Sequence, residues 1–367
     1  MDKDYIEELR KKIDNVDREL SALIQKRMDL VTQVAEYKSR YGKEIFDKSR
    51  EEAVVDNVLS QVSKDEYKDS VKAVFESIML NSREYQKKRI CKEDKFNWRY
   101  ALIGEKLPHS ISPQIHQKFF ENAGLNAVYD KIEVSKAEIS GIINRLKKEG
   151  YSGINVTIPY KTDIMAYLDV VSDIAARVGA VNTVKIGDIY EGYNTDYHGF
   201  GRALSYNGFN PGNKTCAVLG SGGATRAVAA YLEDMGASKI TIVTRDKQSS
   251  ALKFPKHEIA ELKSFSAKGY DLVVNATPVG MFPETGLSPI EKEQLKGASL
   301  VMDLIYNPEE TLFLKYAREL CIPCANGLYM LISQAICAEE IWQGVAYEQD
   351  IINEIYKSFI GKVPDMA

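Results

Sequence analysis

The distribution of helix breakers constrains this 367-residue chain more than any other feature. Before residue 95 there is no proline and one glycine, Gly42; beyond it both recur at turn-like intervals. Proline inside a helix removes an amide donor and clashes with the preceding turn, and glycine costs roughly 1 kcal/mol relative to alanine. A stretch with almost neither is free to be helical throughout. Leu9, Ile13, Val16, Leu20, Leu23, Val31 and Val34 recur at three- and four-residue steps, which predicts a long first helix over residues 5–40, broken by Gly42. Ser49-x-x-Glu52 has the form of a capping box and predicts a second helix from about Asp47 or Ser49. Its apolar side holds Val54, Val55, Val58, Leu59 and Val62. A third helix carries Val71, Val74, Phe75, Ile78 and Met79 and ends in Lys87-Lys88-Arg89, where cations suit the macrodipole. Residues 91–97 read as a polar linker.

From Trp98 onward the runs YALIG, GINVTI, AVNTVKI, TCAVLG, KITIVT, DLVVNAT and SLVMDLI alternate with helical stretches. Such alternation argues for parallel sheets with crossover helices. The net charge of −4 is small, and no block of like charge suggests a nucleic-acid arm or a membrane patch. The charged N-terminus and the lack of any long apolar run argue against a signal peptide and a spanning helix. Five cysteines without a framework spacing point to the cytoplasm. Cys321 and Cys324 form a C-x-x-C with no second pair and no nearby histidine, and read as small buried residues rather than metal ligands.

Two places carry chemistry in this second part. Thr215–Leu219 is a short apolar run followed by Gly220-Ser221-Gly222-Gly223-Ala224, a helical stretch, and a second strand over Lys239–Val243. Gly220 permits the tight turn and Gly222 lets the backbone approach a pyrophosphate at the helix start. This is the arrangement of a dinucleotide site. The second strand ends in Thr244-Arg245-Asp246, where the adenosine ribose is read. Arg245 suits a 2′-phosphate, and Asp246 repels one if it points inward. The reading leans to NADP, with NAD as the alternative.

The other place is a set of polar blocks. Ser110 and Ser112 flank Ile111 at the mouth of a helix with Pro113 in its first turn, where hydroxyls and amides suit a carboxylate. Ser112 acting merely as an N-cap is the competing reading. Asn155 and Thr157 share one side of a strand end, and Lys161 starts the next helix, against the macrodipole. Asn182 and Asp196 lie in short glycine-bounded loops.

Taken in order, HSISPQIH, NVTIPYK, GAVNT, NTD, GSGGATRA, NATPVGM and GLYMLISQA resemble the shikimate dehydrogenases over about residues 100–360. That resemblance implies reversible reduction of 3-dehydroshikimate to shikimate, with Lys161 and Asp196 as the catalytic pair. It implies substrate contacts from Ser110, Ser112, Asn155, Thr157, Asn182, Tyr306 and Gln334. Cofactor contacts fall on Gly220, Ser221, Gly222, Gly223, Ala224, Thr244, Arg245, Asn275, Thr277 and Gly327. Gln117 and Ser249 stand where the family has asparagine and a basic residue; Ser249 bears on the phosphate.

The helical front has its own anomaly. Arg27 and Lys38 lie in line with the apolar seam of the first helix, and Arg10 sits beside it. Arg50 and Glu51 adjoin the apolar side of the second helix, and Ser82 and Gln86 continue that of the third. Cations turned inward are costly unless an anion meets them, so the pattern reads as a pocket for a small polyanion or as snorkelling side chains. Over residues 5–88 the set resembles the all-helical chorismate mutases. That resemblance implies carboxylate contacts from Arg10, Arg27 and Arg50, with Arg10 supplied by the partner in a homodimer. It implies Lys38 and Gln86 on the ether oxygen, and Asp47, Glu51 and Ser82 as the remaining contacts.

The expected architecture is an all-α three-helix mutase domain over 1–92, then an α/β dehydrogenase. Its substrate lobe is discontinuous, 98–200 plus 325–367, around a Rossmann-type NADP-binding lobe over 201–324. The rival is a shikimate/quinate dehydrogenase using NAD, with a front that binds chorismate or prephenate without turnover.

Overall fold

The computed structural model describes residues 2–40, 48–93, 98–108 and 110–362, and the chain divides into two units, 1–96 and 97–367. The first unit is helical. It comprises α1 (Asp2–Arg40), α2 (Lys48–Ser60) and α3 (Lys68–Glu93), with a short 3-10 turn over Asp65–Tyr67. The third helix runs into residues 91–93, which the sequence reading assigned to a linker. Gly42 and Asp47, and the side chain of Ser49, lie outside the described residues.

α3 packs on both α1 and α2. Val31 and Met79 are buried there, and Thr32 Oγ1 lies 3.3 Å from the Tyr85 hydroxyl. The rest of the α1 seam finds no cover among the described residues. Leu9, Ile13, Val16, Leu20, Leu23 and Val34 are exposed, Leu23 at 64%. α1, of 39 residues, packs chiefly on α3, of 26, which is too short to cover its whole length.

The second unit carries two six-stranded sheets. Its first part runs β1 (Trp98–Gly104), α4 (Ser112–Ala123), β2 (Ala127–Glu133), α5 (Ile142–Lys148), β3 (Gly153–Val156), β4 (Val170–Val171), α6 (Asp173–Val178), β5 (Thr183–Ile186), β6 (Tyr190–Tyr193) and α7 (Thr195–Tyr206). Its second part runs β7 (Thr215–Leu219), α8 (Gly223–Asp234), β8 (Lys239–Thr244), α9 (Lys247–Lys253), β9 (Glu258–Glu261), β10 (Leu272–Asn275), β11 (Leu300–Asp303), α10 (Leu312–Glu319), β12 (Cys324–Ala325), α11 (Leu328–Gln343) and α12 (Gln349–Phe359).

The first sheet has the order β2-β1-β3-β5-β6-β4. It is mixed, not parallel throughout: β5 runs antiparallel to both β3 and β6. The cause is local, because β5 and β6 form a hairpin and need no crossover helix. The second sheet, β12-β11-β10-β7-β8-β9, is parallel in every pairing. Its strand order reverses beside β7, and a crevice at the carboxyl ends of such a sheet is where ligands bind. One hydrophobic core joins residues of both sheets through α4, α7 and α11; each sheet has a further core on its other face.

Cys321 is exposed and Cys324 half-buried, so the reading of that pair as buried fails. Cys321 follows the end of α10 with φ of 56° and turns outward, where the chain reverses into β12. No helix among the described residues is long and apolar enough to cross a membrane.

Candidate functional site

The polar blocks of the second unit converge on the start of α7. Asn194 caps that helix: its Oδ1 accepts from the Tyr197 amide at 3.2 Å, and its Nδ2 donates to the Ala180 carbonyl at 2.9 Å. Asp196 therefore sits in the first turn, where a carboxylate suits the macrodipole. Its two oxygens are held separately. Lys161 Nζ donates to Oδ2 at 2.6 Å, and Asn182 Nδ2 donates to Oδ1 at 2.9 Å. Lys161 does not open a helix, contrary to expectation. It lies in a turn before the 3-10 segment Asp163–Tyr167, and its carbonyl accepts from the Val181 amide at 2.7 Å. The Lys161 and Asp196 side chains keep 26% and 16% exposure, so the pair is sheltered yet reachable.

Asn182 is the hub. Its Oδ1 accepts from the Thr195 amide at 2.7 Å, and its Nδ2 lies 3.5 Å from Gln334 Oε1. Gln334 comes from α11, far along the chain, and its Oε1 lies 3.2 Å from Thr195 Oγ1. Asn155 joins from β3, donating to the Asn182 carbonyl at 3.2 Å and to Thr183 Oγ1 at 3.0 Å. Thus Lys161, Asp196, Asn182, Asn155 and Gln334 form one hydrogen-bonded network. Among the described residues no hydrogen bond joins Ser110, Ser112, Thr157 or Tyr306 to it. Ser110 Oγ donates to Ser112 Oγ at 3.1 Å. Ser112 is the first residue of α4, and the capping position is Ile111 without a side-chain cap bond, so the N-cap reading of Ser112 is set aside. Tyr306 is half-buried, and burial raises its phenol above the ordinary range.

The glycine turn lies at the reversal of the second sheet. Gly220 has φ of +108°, and a Cβ there would meet Thr277 Cγ2 at 3.0 Å, so the β7 and β10 ends close on each other. A Cβ on Gly222 or Gly223 meets nothing within 4 Å. Open ground before the first amides of α8 fits a pyrophosphate. Ser221 and Ala224 flank it, half-buried. At the end of β8 the geometry settles the role of Asp246: it caps α9, with Oδ1 accepting from the Ser249 amide at 3.0 Å. Arg245 beside it is exposed. Thr244 is buried, and its hydroxyl is used inside the turn, accepting from the Asp246 amide at 3.2 Å and from Ser250 Oγ at 3.1 Å.

Asn275 is likewise enclosed. It accepts from Thr277 Oγ1 at 2.7 Å and donates to Asp303 Oδ1 at 3.0 Å, so it shapes the loop after β10. Burial pushes Asp303 up to about 6. Gly327 lets the chain pass over β11 into α11, since a Cβ there would lie 2.0 Å from the Leu304 carbonyl oxygen.

Several contributors escaped the sequence reading. Thr195 lies between Asn194 and Asp196, and nothing local marks it as a partner of Asn182 and Gln334. Arg226, in the first turn of α8, reaches the Val178 carbonyl at 3.3 Å, and Arg177 grips Asp234 at the other end of that helix, with Nη1 at 2.8 Å. These bonds tie the cofactor-side helix to the loop that leads to Asn182; no local pattern signals them.

In the helical unit Arg27 Nη1 donates to Ser82 Oγ at 2.5 Å, and Ser82, buried, donates in turn to the Ile78 carbonyl at 2.7 Å. Burial lowers the Arg27 guanidinium from its ordinary value. Glu51 Oε1 pairs with Arg83 Nε at 3.4 Å, a partner the sequence reading did not name. Arg50 and Arg10 are exposed. Asp47 and the side chains of Lys38 and Gln86 lie outside the described residues.

Comparison with known proteins agrees with this division. Residues 9–87 match the family model for chorismate mutase type II, and residues 102–184 match the shikimate dehydrogenase substrate binding domain. A shikimate dehydrogenase (NADP(+)) of Clostridium beijerinckii is 41% identical over 263 residues, covering 71% of this chain and 97% of that protein. The crystal structure of a chorismate mutase/shikimate 5-dehydrogenase fusion protein from Clostridium acetobutylicum superposes with a TM-score of 0.70 at 42% identity, covering 73% of this chain and 98% of that one. Shikimate 5-dehydrogenase from Thermus thermophilus, solved in complex with NADP(H) and shikimate, gives a TM-score of 0.65 at 32% identity over 71% of this chain and 99% of that one. The chain therefore belongs to the shikimate dehydrogenase family and carries, ahead of the dehydrogenase, a region of the chorismate mutase type II family.

Proposed function

We propose that this chain is a bifunctional enzyme that reduces 3-dehydroshikimate reversibly to shikimate with NADP and rearranges chorismate to prephenate. The observation that carries the first activity is the Lys161–Asp196 pair, held by Asn182 and sheltered from solvent. The substrate lobe is 98–200 plus 325–367, and the cofactor lobe is 201–324.

Bound cofactor would supply the hydride as NADPH in the reductive direction and accept it as NADP in the oxidative one. The chain handles the proton. Lys161 donates it to the developing alkoxide, and Asp196 keeps the lysine charged and in place. In the oxidative direction Lys161 takes the proton back. Ser110 and Ser112 at the mouth of α4 suit the substrate carboxylate, while Asn155, Thr157, Asn182, Tyr306 and Gln334 suit its hydroxyls and carbonyl. Gly220, Ser221, Gly222, Gly223 and Ala224 would hold the pyrophosphate, and Thr277 and Gly327 would shape the ground around the nicotinamide. With Asp246 occupied as a helix cap, Arg245 is left beside the ribose, which supports the phosphorylated cofactor.

For the mutase, Arg27 and Arg50 meet the carboxylates, with Arg10 from a second copy. Lys38 and Gln86 stabilise charge on the breaking C–O bond, and Asp47, Glu51 and Ser82 complete the pocket. The uncovered α1 seam supports a homodimer through the helical unit. A biosynthetic enzyme of this kind works in the cytoplasm.

A set of assays of the whole chain tests the reading: 3-dehydroshikimate with NADPH or NADH, shikimate against quinate with NADP or NAD, and chorismate alone. Turnover of both substrates with NADPH preferred is expected. Absence of prephenate formation overturns the mutase half, and a strong preference for quinate with NAD overturns the dehydrogenase half.

A further inference from the structure

Tyr129 lies on β2, two strands from Asn155 in the order β2-β1-β3, and reaches it diagonally across β1. On β1, Tyr100 pairs with Tyr129 and Leu102 with Asn155. The Tyr129 hydroxyl donates to Asn155 Oδ1 at 2.6 Å. Its ring is stacked on the His116 imidazole, centroids 3.8 Å apart and planes 10° off parallel. His116 is itself anchored, with Nδ1 2.5 Å from Glu339 Oε1, and both residues are fully enclosed. Glu339 Oε2 accepts from Gln343 at 2.6 Å, so a chain of buried contacts runs from α11 to the β3 end.

The hydrogen-bond inventory of Asn155 then decides what it can offer. Both Nδ2 hydrogens are used, on the Asn182 carbonyl and Thr183 Oγ1. Oδ1 has two acceptor sites and Tyr129 fills one. The remaining capacity is a single acceptor. Burial, with Glu339 close by, raises the Tyr129 phenol well above its ordinary value, so it stays a donor at any working pH.

We propose that Tyr129, seated on His116, is a positioning residue of the dehydrogenase that holds the Asn155 amide so that Asn155 meets a substrate hydroxyl only as an acceptor. The proposal rests on Asn155 being a substrate ligand, as assigned above. It makes Asn155 a selector for a donating hydroxyl at that point of the ring.

The test is steady-state oxidation of shikimate with NADP by the full chain. Tyr129→Phe keeps the stacked ring and removes the donor. Its KM for shikimate is expected to rise about fivefold, the size of one neutral hydrogen bond, with kcat changed less than about twofold and the KM for NADP unmoved. Asn155→Ala is expected to raise the shikimate KM at least as much, and adding Tyr129→Phe to it is expected to raise it no further. Thermal melts and NADP binding confirm that each variant is folded. An unchanged KM in Tyr129→Phe, or two effects that multiply in the double variant, overturns the positioning role while leaving the assignment of Asn155 intact. An unchanged KM in Asn155→Ala removes that assignment, and the proposal with it.

Discussion

Gly199→Ala is the sharpest perturbation of the dehydrogenase. Gly199 lies on α7, one turn after Asp196, where α7 meets α11. A Cβ at this position would stand 2.8 Å from Gln334 Cβ, 2.8 Å from the Met330 carbonyl oxygen and 3.0 Å from the Gln334 amide nitrogen. Ordinary contact begins at 3.4 Å, so the methyl is about 0.6 Å short of room. Two of the three atoms are backbone, and no side-chain rotation relieves them; α11 itself must move. Overpacking of this kind costs about 1–3 kcal/mol, against about 1 kcal/mol gained from replacing glycine in a helix. The net expectation is a loss of about 0–2 kcal/mol in the dehydrogenase unit.

The functional consequence is larger than the stability change suggests. Gln334 Oε1 sits 3.2 Å from Thr195 Oγ1 and 3.5 Å from Asn182 Nδ2. A retreat of about half an ångström takes the longer contact out of hydrogen-bonding range. Steady-state kinetics should show the KM for shikimate raised several-fold. Prephenate formation by the helical unit should be unaffected, as a control. A variant with wild-type KM and wild-type urea midpoint would refute the claim that this glycine sets the depth of Gln334.

Other expectations follow from the same geometry. Lys161→Ala should lower hydride-transfer turnover more than about tenfold while shikimate binding, measured by fluorescence titration, is largely kept; near-normal turnover removes the proton-transfer role. Arg27→Ala breaks the bond to Ser82 and should cut chorismate turnover by about tenfold or more without touching shikimate oxidation, and equal activities would contradict the assigned pocket. Leu23→Glu puts a charge on the uncovered α1 seam and should convert a dimer to monomer in analytical ultracentrifugation; an unchanged sedimentation coefficient argues against a dimer through this face. Asp303 has a folded pKa of about 6, above its ordinary value of 3.8. A raised carboxyl stabilises fully below the unfolded value, and that contribution is lost as pH rises through the folded one. Relative to wild type, Asp303→Asn should therefore gain up to roughly 3 kcal/mol between pH 4 and pH 7, read from urea unfolding at each pH. Parallel pH profiles of the two proteins would exclude it.

The sequence by itself determined the two-part character of this protein, because proline and glycine act on the backbone locally and their near absence before residue 95, Gly42 apart, permits helix without tertiary help. It also determined the dinucleotide turn, since strand, glycine turn and helix are adjacent along the chain. The resemblances named the chemistry residue by residue, and the hydrogen-bonded network brings five of those residues together. What it left open depended on contacts between distant segments. β2 was missed because AVYDKIE alternates buried and exposed positions weakly, with charged residues along one edge. The mixed direction of the first sheet came from a hairpin whose second strand, YEGY, carries little apolar signal. Sequence alone leaves Asp246 facing the cofactor phosphate; the fold turns its carboxylate to cap α9. Lys161 and Asp196 are 35 positions apart, and Gln334 lies 139 beyond Thr195; folding alone sets such distances. Periodicity marked the α1 seam as apolar, but only the tertiary structure left it bare, because α3, the helix packed on it, is too short to cover it.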